Sequence, residues 1–174
     1  VTHLRQGGSV LFLADPGTVK SDVVIGFSSI FWNTAWTQGQ APHTLGILCD
    51  PKHPALAAFP TDYHSDWQWW ELISCAKPMD LDDLPAEFRP IVQVVPDWFD
   101  PQRLGLVLEA KVGGGKLLAC SIDLEHDLPE RPAARQMLCS LLSYMKSANF
   151  DPPHELTADQ VRSLFSGPWK NHEP

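Results

Sequence analysis

The segment LGLVLEAKVGGGKLLACSIDL, Leu104 to Leu124, sets the tightest limit on the fold. Two apolar runs of strand length flank Gly113, Gly114 and Gly115, the pattern of a β-hairpin. Both runs are almost continuously apolar rather than alternating. That character belongs to strands covered on both faces, so layers must lie above and below the sheet that holds the hairpin.

Other segments offer partners for that sheet. SVLFLAD (Ser9 to Asp15) reads as a buried strand, entered through the turn at Gly7 and Gly8. The preceding LRQGG has the form of a helix's last turn closed by glycine. HTLGILC (His43 to Cys49) and IVQVV (Ile91 to Val95, closed by Pro96) are further strands, and DVVIGF (Asp22 to Phe27) is a strand or extended segment. The segment SSIFWNTAWTQGQAP has no clear period and reads as a structured loop with a short helix. Pro54 suits the first turn of another short helix, since its missing N–H costs nothing there.

PERPAARQMLCSLLSYMKS is the longest helix, with apolar Ala134, Met137, Leu138, Leu141, Leu142 and Met145 spaced at three and four. TADQVRSLF follows as a shorter helix capped by its threonine. Strands interleaved with helices predict an α/β three-layer sandwich, parallel in the middle with a late antiparallel hairpin. Ser9–Ala14, Thr44–Cys49 and Leu117–Ile122 should share one sheet, with a helix from about Pro132 to Lys146 on a face.

The 174 residues fit one domain. Sixteen are proline, well above the roughly 5% typical of proteins, so the loops should be stiff rather than linker-like. A formal charge of −8 opposes binding to nucleic acid or anionic membranes, both of which call for a basic footprint. No apolar run approaches the roughly 20 residues that span a bilayer.

YHSDWQWWELI (Tyr63 to Ile73) is the segment that suggests a site, with Trp67, Trp69 and Trp70 close together. Ser65 with Gln68 three residues on forms a capping-box pattern, so a helix should begin there. At about 100° per residue, Trp69, Trp70, Leu72 and Ile73 share one broad face and Trp67 falls off it. Trp69 and Trp70 are therefore expected in the core. Trp67, beside His64 and Asp66, would belong to a surface that meets a sugar or another domain. Trp32 and Trp36, four apart in FWNTAW, form either a core pair or a second aromatic edge.

Catalytic patterns are incomplete. Cys49 closes a strand in LGILCDPKHP, with His43 and His53 on either side in sequence, so it is the alternative nucleophile of a small hydrolase or amidotransferase. Its neighbours Leu48, Asp50 and Pro51 are wrong for a nucleophile elbow, which needs small residues around the reacting side chain. His43, Cys49, His53 and His64 match no zinc spacing. Asp82 with Asp83, and Asp123 with Glu125, read as solvated turns rather than glycosidase carboxylates. No catalytic residue, metal or cofactor is assigned. Cys49, Cys75, Cys120 and Cys139 show no close pairing, and read as buried free thiols.

Several segments together carry a family resemblance. LGILCDPKHPALAAFPTDYHSDWQWWELI, RPIVQVVPDWF, LGLVLEAKVGGGKLLACSIDL and RPAARQMLCSLLSYM resemble the C-terminal module of bacterial β-galactosidase-like enzymes of glycoside hydrolase family two, over about Leu4 to Met145. The run HPAL, FPT and WQWW is its most specific part. Such modules are similar to class I glutamine amidotransferases, a flavodoxin-like fold with a mostly parallel sheet, without a working cysteine–histidine pair. The resemblance implies a single non-catalytic accessory domain over residues 1–174. It would be a C-terminal fragment of a larger glycosidase that is periplasmic or secreted, with its active glutamates in a separate barrel. Its partners would be the parent's other domains, a second copy of the chain, or a glycan. The first strand and helix of that fold would precede LRQGG.

Overall fold

The computed structural model describes residues 2–28 and 33–166. A one-turn helix α1 (Thr2–Arg5) leads into strand β1 (Ser9–Leu13), and a second short helix α2 (Asn33–Trp36) precedes β2 (Thr44–Cys49). Helix α3 (Trp67–Ser74), the two-residue β3 (Met79–Asp80), β4 (Val92–Pro96), β5 (Leu104–Val112) and β6 (Gly115–Cys120) follow. Helices α4 (Pro132–Lys146) and α5 (Ala158–Ser163) complete the order.

The strands form one mixed sheet in the order β1-β6-β5-β4-β2, with β3 paired to β5 off that path. Among the described strands only the β1–β6 pair is parallel; the β2–β4, β3–β5, β4–β5 and β5–β6 pairs are antiparallel. Here the structure overturns the expected mostly parallel, flavodoxin-like and amidotransferase-like sandwich. The reason lies in the connections. A parallel return needs a crossover of a dozen or more residues, whereas β4 and β5 are joined by residues 97–103 alone, and β5 and β6, the hairpin expected from the sequence, by Gly113 and Gly114. Their φ values of +60° and +92° are those of a tight hairpin turn that glycine enters without strain. The continuous apolar runs report burial on two faces and say nothing about strand direction.

Both faces are indeed covered. One carries a core of Ile47, Phe59, Trp69, Leu72, Val92, Leu106, Leu118, Met137 and Leu141 under α3, α4 and the 3-10 turn Pro54–Leu56. The opposite face packs Leu4, Met79, Leu81, Phe88, Leu108, Ala110, Leu117 and Leu156 with Val161 of α5. Nearly every residue of β5 is buried as a result. The expected placement of Ser9–Ala14, Thr44–Cys49 and Leu117–Ile122 in one sheet, under the helix Pro132–Lys146, is what the structure shows, with the strands bounded at Ser9–Leu13, Thr44–Cys49 and Gly115–Cys120.

Local departures have physical causes. Asp22–Phe27 forms no strand. Helix α4 buries Ala134, Met137, Ser140, Leu141 and Tyr144, leaving Leu142 exposed. The helix is rotated towards the Pro54–Leu56 turn by polar bonds: the Ser140 hydroxyl donates to the Ala55 carbonyl at 2.7 Å and accepts from the Ala58 N–H at 3.1 Å. All four cysteines are free, but only Cys120 is buried and Cys139 is exposed.

Candidate functional site

Strand β2 ends the sheet on one side, and its outer edge is closed by loop segments. The Cys49 N–H donates to the Tyr63 carbonyl at 3.0 Å, and Leu48 forms an antiparallel bridge with His64. The Ser65 hydroxyl accepts from the Ile47 N–H at 2.9 Å, and the Thr44 hydroxyl bonds both the N–H and the carbonyl of Gly26. Residues 24–28 and 63–66 are thereby held against the strand, and α3 begins immediately after them.

Helix α3 starts one residue later than the capping-box pattern predicts. Asp66, not Ser65, is the N-cap: its carboxylate accepts from the N–H groups of Gln68 (3.0 Å) and Trp69 (3.4 Å). Ser65 is unavailable because its hydroxyl already serves β2. With that start, Trp69 points into the core. Its indole N–H donates to the Thr61 hydroxyl at 2.8 Å and its ring meets Phe59 edge-on at 5.3 Å.

Trp67 and Trp70 lie on the other side of the helix, 88% and 53% exposed. The exposure of Trp67 agrees with its helical phase. That of Trp70 does not, because the core under α3 is closed by Trp69, Leu72 and Ile73, leaving no room for a second indole. Trp70 instead leans on Phe27, with ring centroids 5.5 Å apart. Phe27, Ser28, Leu45, Ser65, Asp66, Trp67 and Trp70 line an open groove of about 540 Å³. The lining is mainly apolar, and the Ser65 and Asp66 side chains are already engaged by backbone N–H groups. Phe27 and Leu45 carry no local sign of a site in the sequence; only the pairing around β2 brings them to Trp70.

His64 donates from Nδ1 to the Ser65 carbonyl at 3.0 Å and stands edge-on to Tyr63 at 4.8 Å. It sits near the groove without lining it. Trp36 is exposed in α2, and Trp32 lies outside the described residues. α2 is fastened by the buried carboxylate of Asp97, which accepts from the Thr34 N–H at 2.8 Å, the Thr34 hydroxyl, and the N–H groups of Phe99 (2.7 Å) and Asp100 (3.1 Å). Burial pushes the Asp97 carboxyl up, but these donors outweigh it and hold the group below the usual carboxylate range.

Cys49 lacks the features of a nucleophile. Its thiol donates to the Asp62 carbonyl at 3.4 Å, and burial, then the charges of Asp50 and Asp66, push its pKa up to about 11. No imidazole bonds its sulfur among the described residues. His43 is held between the Val24 N–H (3.3 Å) and the Gly39 carbonyl (3.2 Å). His53 Nδ1 accepts from the Ala55 N–H at 3.2 Å, leaving Nε2 at 3.7 Å from Glu109. These side chains do not converge, and no group of three metal-ligating residues occurs among the described residues.

A second charged cluster joins α3 to α4. Arg131 bonds Glu71 through Nε, donates from Nη1 to the His126 carbonyl at 3.1 Å and lies 3.7 Å from Asp123. Asp123 also accepts from the Glu125 and His126 N–H groups and pairs with the His126 ring at 3.1 Å. One buried guanidinium is thus shared between two carboxylates, tying Glu71 of α3 and the Asp123 loop to the start of α4. No helix among the described residues is long and apolar enough to cross a membrane.

The model of a family described as Domain of unknown function (DUF8487) matches residues 1–166, so the chain belongs to that family. No curated protein matches it.

Proposed function

We propose that this family member is a non-catalytic accessory domain of a carbohydrate-active enzyme, and that it works by contact through the Trp67–Trp70 face. One observation carries the reading. Two indoles stand exposed beside an apolar groove whose nearby polar side chains, Ser65 and Asp66, are spent on the protein's own backbone. Tryptophan at a desolvated contact is a common energetic anchor, and an exposed apolar hollow of this kind marks an interaction surface. A neighbouring domain of the parent enzyme is the preferred occupant, because a sugar would call for free hydrogen-bonding groups beside the rings. The resemblance of the HPAL–FPT–WQWW run to β-galactosidase-like modules supports the choice of parent.

The test pairs two measurements. The purified chain should be inert toward chromogenic glycosides and glutamine, and Cys49→Ala should change no rate. In the intact parent enzyme, Trp67→Ala with Trp70→Ala should leave this domain folded but separate its thermal unfolding from that of the rest. Turnover abolished by Cys49→Ala would replace this reading with a cysteine hydrolase. Saturable quenching of tryptophan fluorescence by oligosaccharides, lost in Trp67→Ala, would assign the face to a glycan instead.

A further inference from the structure

Residues 81–90 wrap round the side chain of Arg103, just before β5, and the wrapping brings two positive charges together. The Arg103 guanidinium donates from Nη1 to the Leu84 carbonyl at 3.0 Å, and from Nη2 to those of Pro85 (2.9 Å) and Phe88 (3.1 Å). Arg89 turns back onto the same segment, donating from Nη1 to the Ala86 (2.7 Å) and Phe88 (2.9 Å) carbonyls. The Phe88 carbonyl thus accepts from both guanidiniums, whose bonding nitrogens stand no more than two hydrogen-bond lengths apart. The backbone fixes the segment as well. The Leu81 N–H donates to the Arg103 carbonyl at 2.7 Å, and the Arg103 N–H to the Asp82 carboxylate at 2.9 Å. A Cβ at Gly105 would come within 2.9 Å of Pro90 and 3.1 Å of Leu81, so the missing side chain lets the segment lie directly on β5.

Neutral carbonyls hold these two cations without neutralising them. Among the described residues the arginine ion pairs belong to Arg131 and Arg162, and neither Arg89 nor Arg103 has a carboxylate partner. In a chain of net charge −8, two adjacent guanidiniums without a counter-charge are an unusual expense of repulsion. They line a hollow of about 310 Å³, into which none of Asp80, Asp82, Asp83 and Glu87 reaches. Leu81, Phe88 and Leu104 supply its apolar walls, and Gln93 of β4 adds an amide. Arg89 Nε and Nη2, and Arg103 Nε, make no hydrogen bond among the described residues.

We propose that this hollow binds a small organic acid, whose carboxylate takes a place between Arg89 and Arg103 while its body lies over Leu81, Phe88 and Leu104. The planar fork of a guanidinium matches a carboxylate, and two such forks engage both of its oxygens. A phosphate fits less well, because its further oxygens would face the apolar walls without donors. The volume is at the lower end of small-ligand pockets, enough for one ring. Carbonyls already hold Arg103 in place, so little ordering is left for the ligand to drive. No described residue lines both this hollow and the Trp67–Trp70 groove, and the proposal does not depend on the reading of that groove.

NMR titration of the full chain at constant ionic strength tests this, with benzoate and glucuronate as probes. Benzamide and glucose serve as their uncharged counterparts, and inorganic phosphate as the competing anion. The expected result is saturable shifts of the Arg89 and Arg103 Nε–H and Gln93 side-chain signals with at least one of the two acids, and none with the uncharged pair. Arg89 is exposed, so Arg89→Gln should leave the urea midpoint unchanged while weakening binding by about tenfold or more, the effect of losing a charge-assisted bond. Arg89→Lys, which keeps the charge without the fork, should fall between the two. Absence of saturable shifts with both acids overturns the proposal. So do equal binding of the uncharged counterparts, phosphate binding as tight as that of the acids, shifts centred on the Trp67 and Trp70 indoles, or an affinity untouched by Arg89→Gln.

Discussion

The Tyr144 hydroxyl donates a 2.6 Å hydrogen bond to Glu109 Oε2, joining the last full turn of α4 to the middle of β5. Glu109 is buried in a strand that is otherwise almost wholly apolar, and its Oε1 lies 3.7 Å from His53 Nε2. Burial, and then the carboxylate, push the Tyr144 phenol well above its ordinary range, which keeps it the donor of this bond at neutral pH.

Tyr144→Phe should therefore cost more than the loss of one surface hydrogen bond. It leaves a buried carboxylate short of its closest donor, a penalty of about 1–3 kcal/mol or more for a charged group. Glu109→Gln should cost less, because the amide oxygen can still accept from the phenol. Chemical denaturation of the two variants checks the order, and a larger loss in Glu109→Gln would contradict it.

Trp69 and Trp67 should separate cleanly under truncation. Trp69→Ala empties a fully buried indole site and removes the bond to Thr61, so a loss of roughly 3–5 kcal/mol is expected. Trp67→Ala should stay within about 0.5 kcal/mol of the parent, as exposed positions do. Urea midpoints measure both, and similar losses would assign Trp67 a packing role.

Asp97 should make the protein acid-sensitive. Its folded pKa lies below the ordinary 3.8. The stability it adds is thus complete above the unfolded value and is lost as pH falls through the depressed folded one. Asp97→Asn should flatten the stability profile in that acid range and loosen α2, whose Thr34 it holds. Thermal melts from neutral pH down to about 2 test this, and an unchanged acid slope would count against it.

His126 runs the opposite way. The hydrogen bond to Asp123 and that group's charge raise its pKa above 6.5. Its contribution is therefore present below the unfolded value and fades as pH rises through the folded one. A proton-NMR titration should show the raised value in the parent chain and its return towards 6.5 in Asp123→Asn. The same midpoint in both would remove the pair.

Much was legible in the residues alone, and for a reason local to each. The hairpin at Gly113 and Gly114 follows from positive φ at two adjacent positions, which glycine supplies by itself. The helix Pro132–Lys146 follows from apolar spacing, and the threonine cap of α5 from Thr157 bonding Gln160. The outward phase of Trp67 is a matter of helical angle alone. These features depend on atoms a few residues apart, so a short window contains their causes.

What the sequence could not determine was decided by partners far along the chain. Strand direction depended on which edges met, and continuous apolar runs are silent on that. The cap of α3 moved from Ser65 to Asp66 because β2 claimed the serine hydroxyl, a bond between residues 18 apart. Trp70 was turned outward because Trp69, Leu72 and Ile73 filled the space beneath the helix. The groove exists only because the loop at Phe27 and the edge of β2 close on the indole that was left outside. Helical and turn geometry are written within one or two turns of chain, whereas a surface is assembled by whichever residues the core has no room to bury.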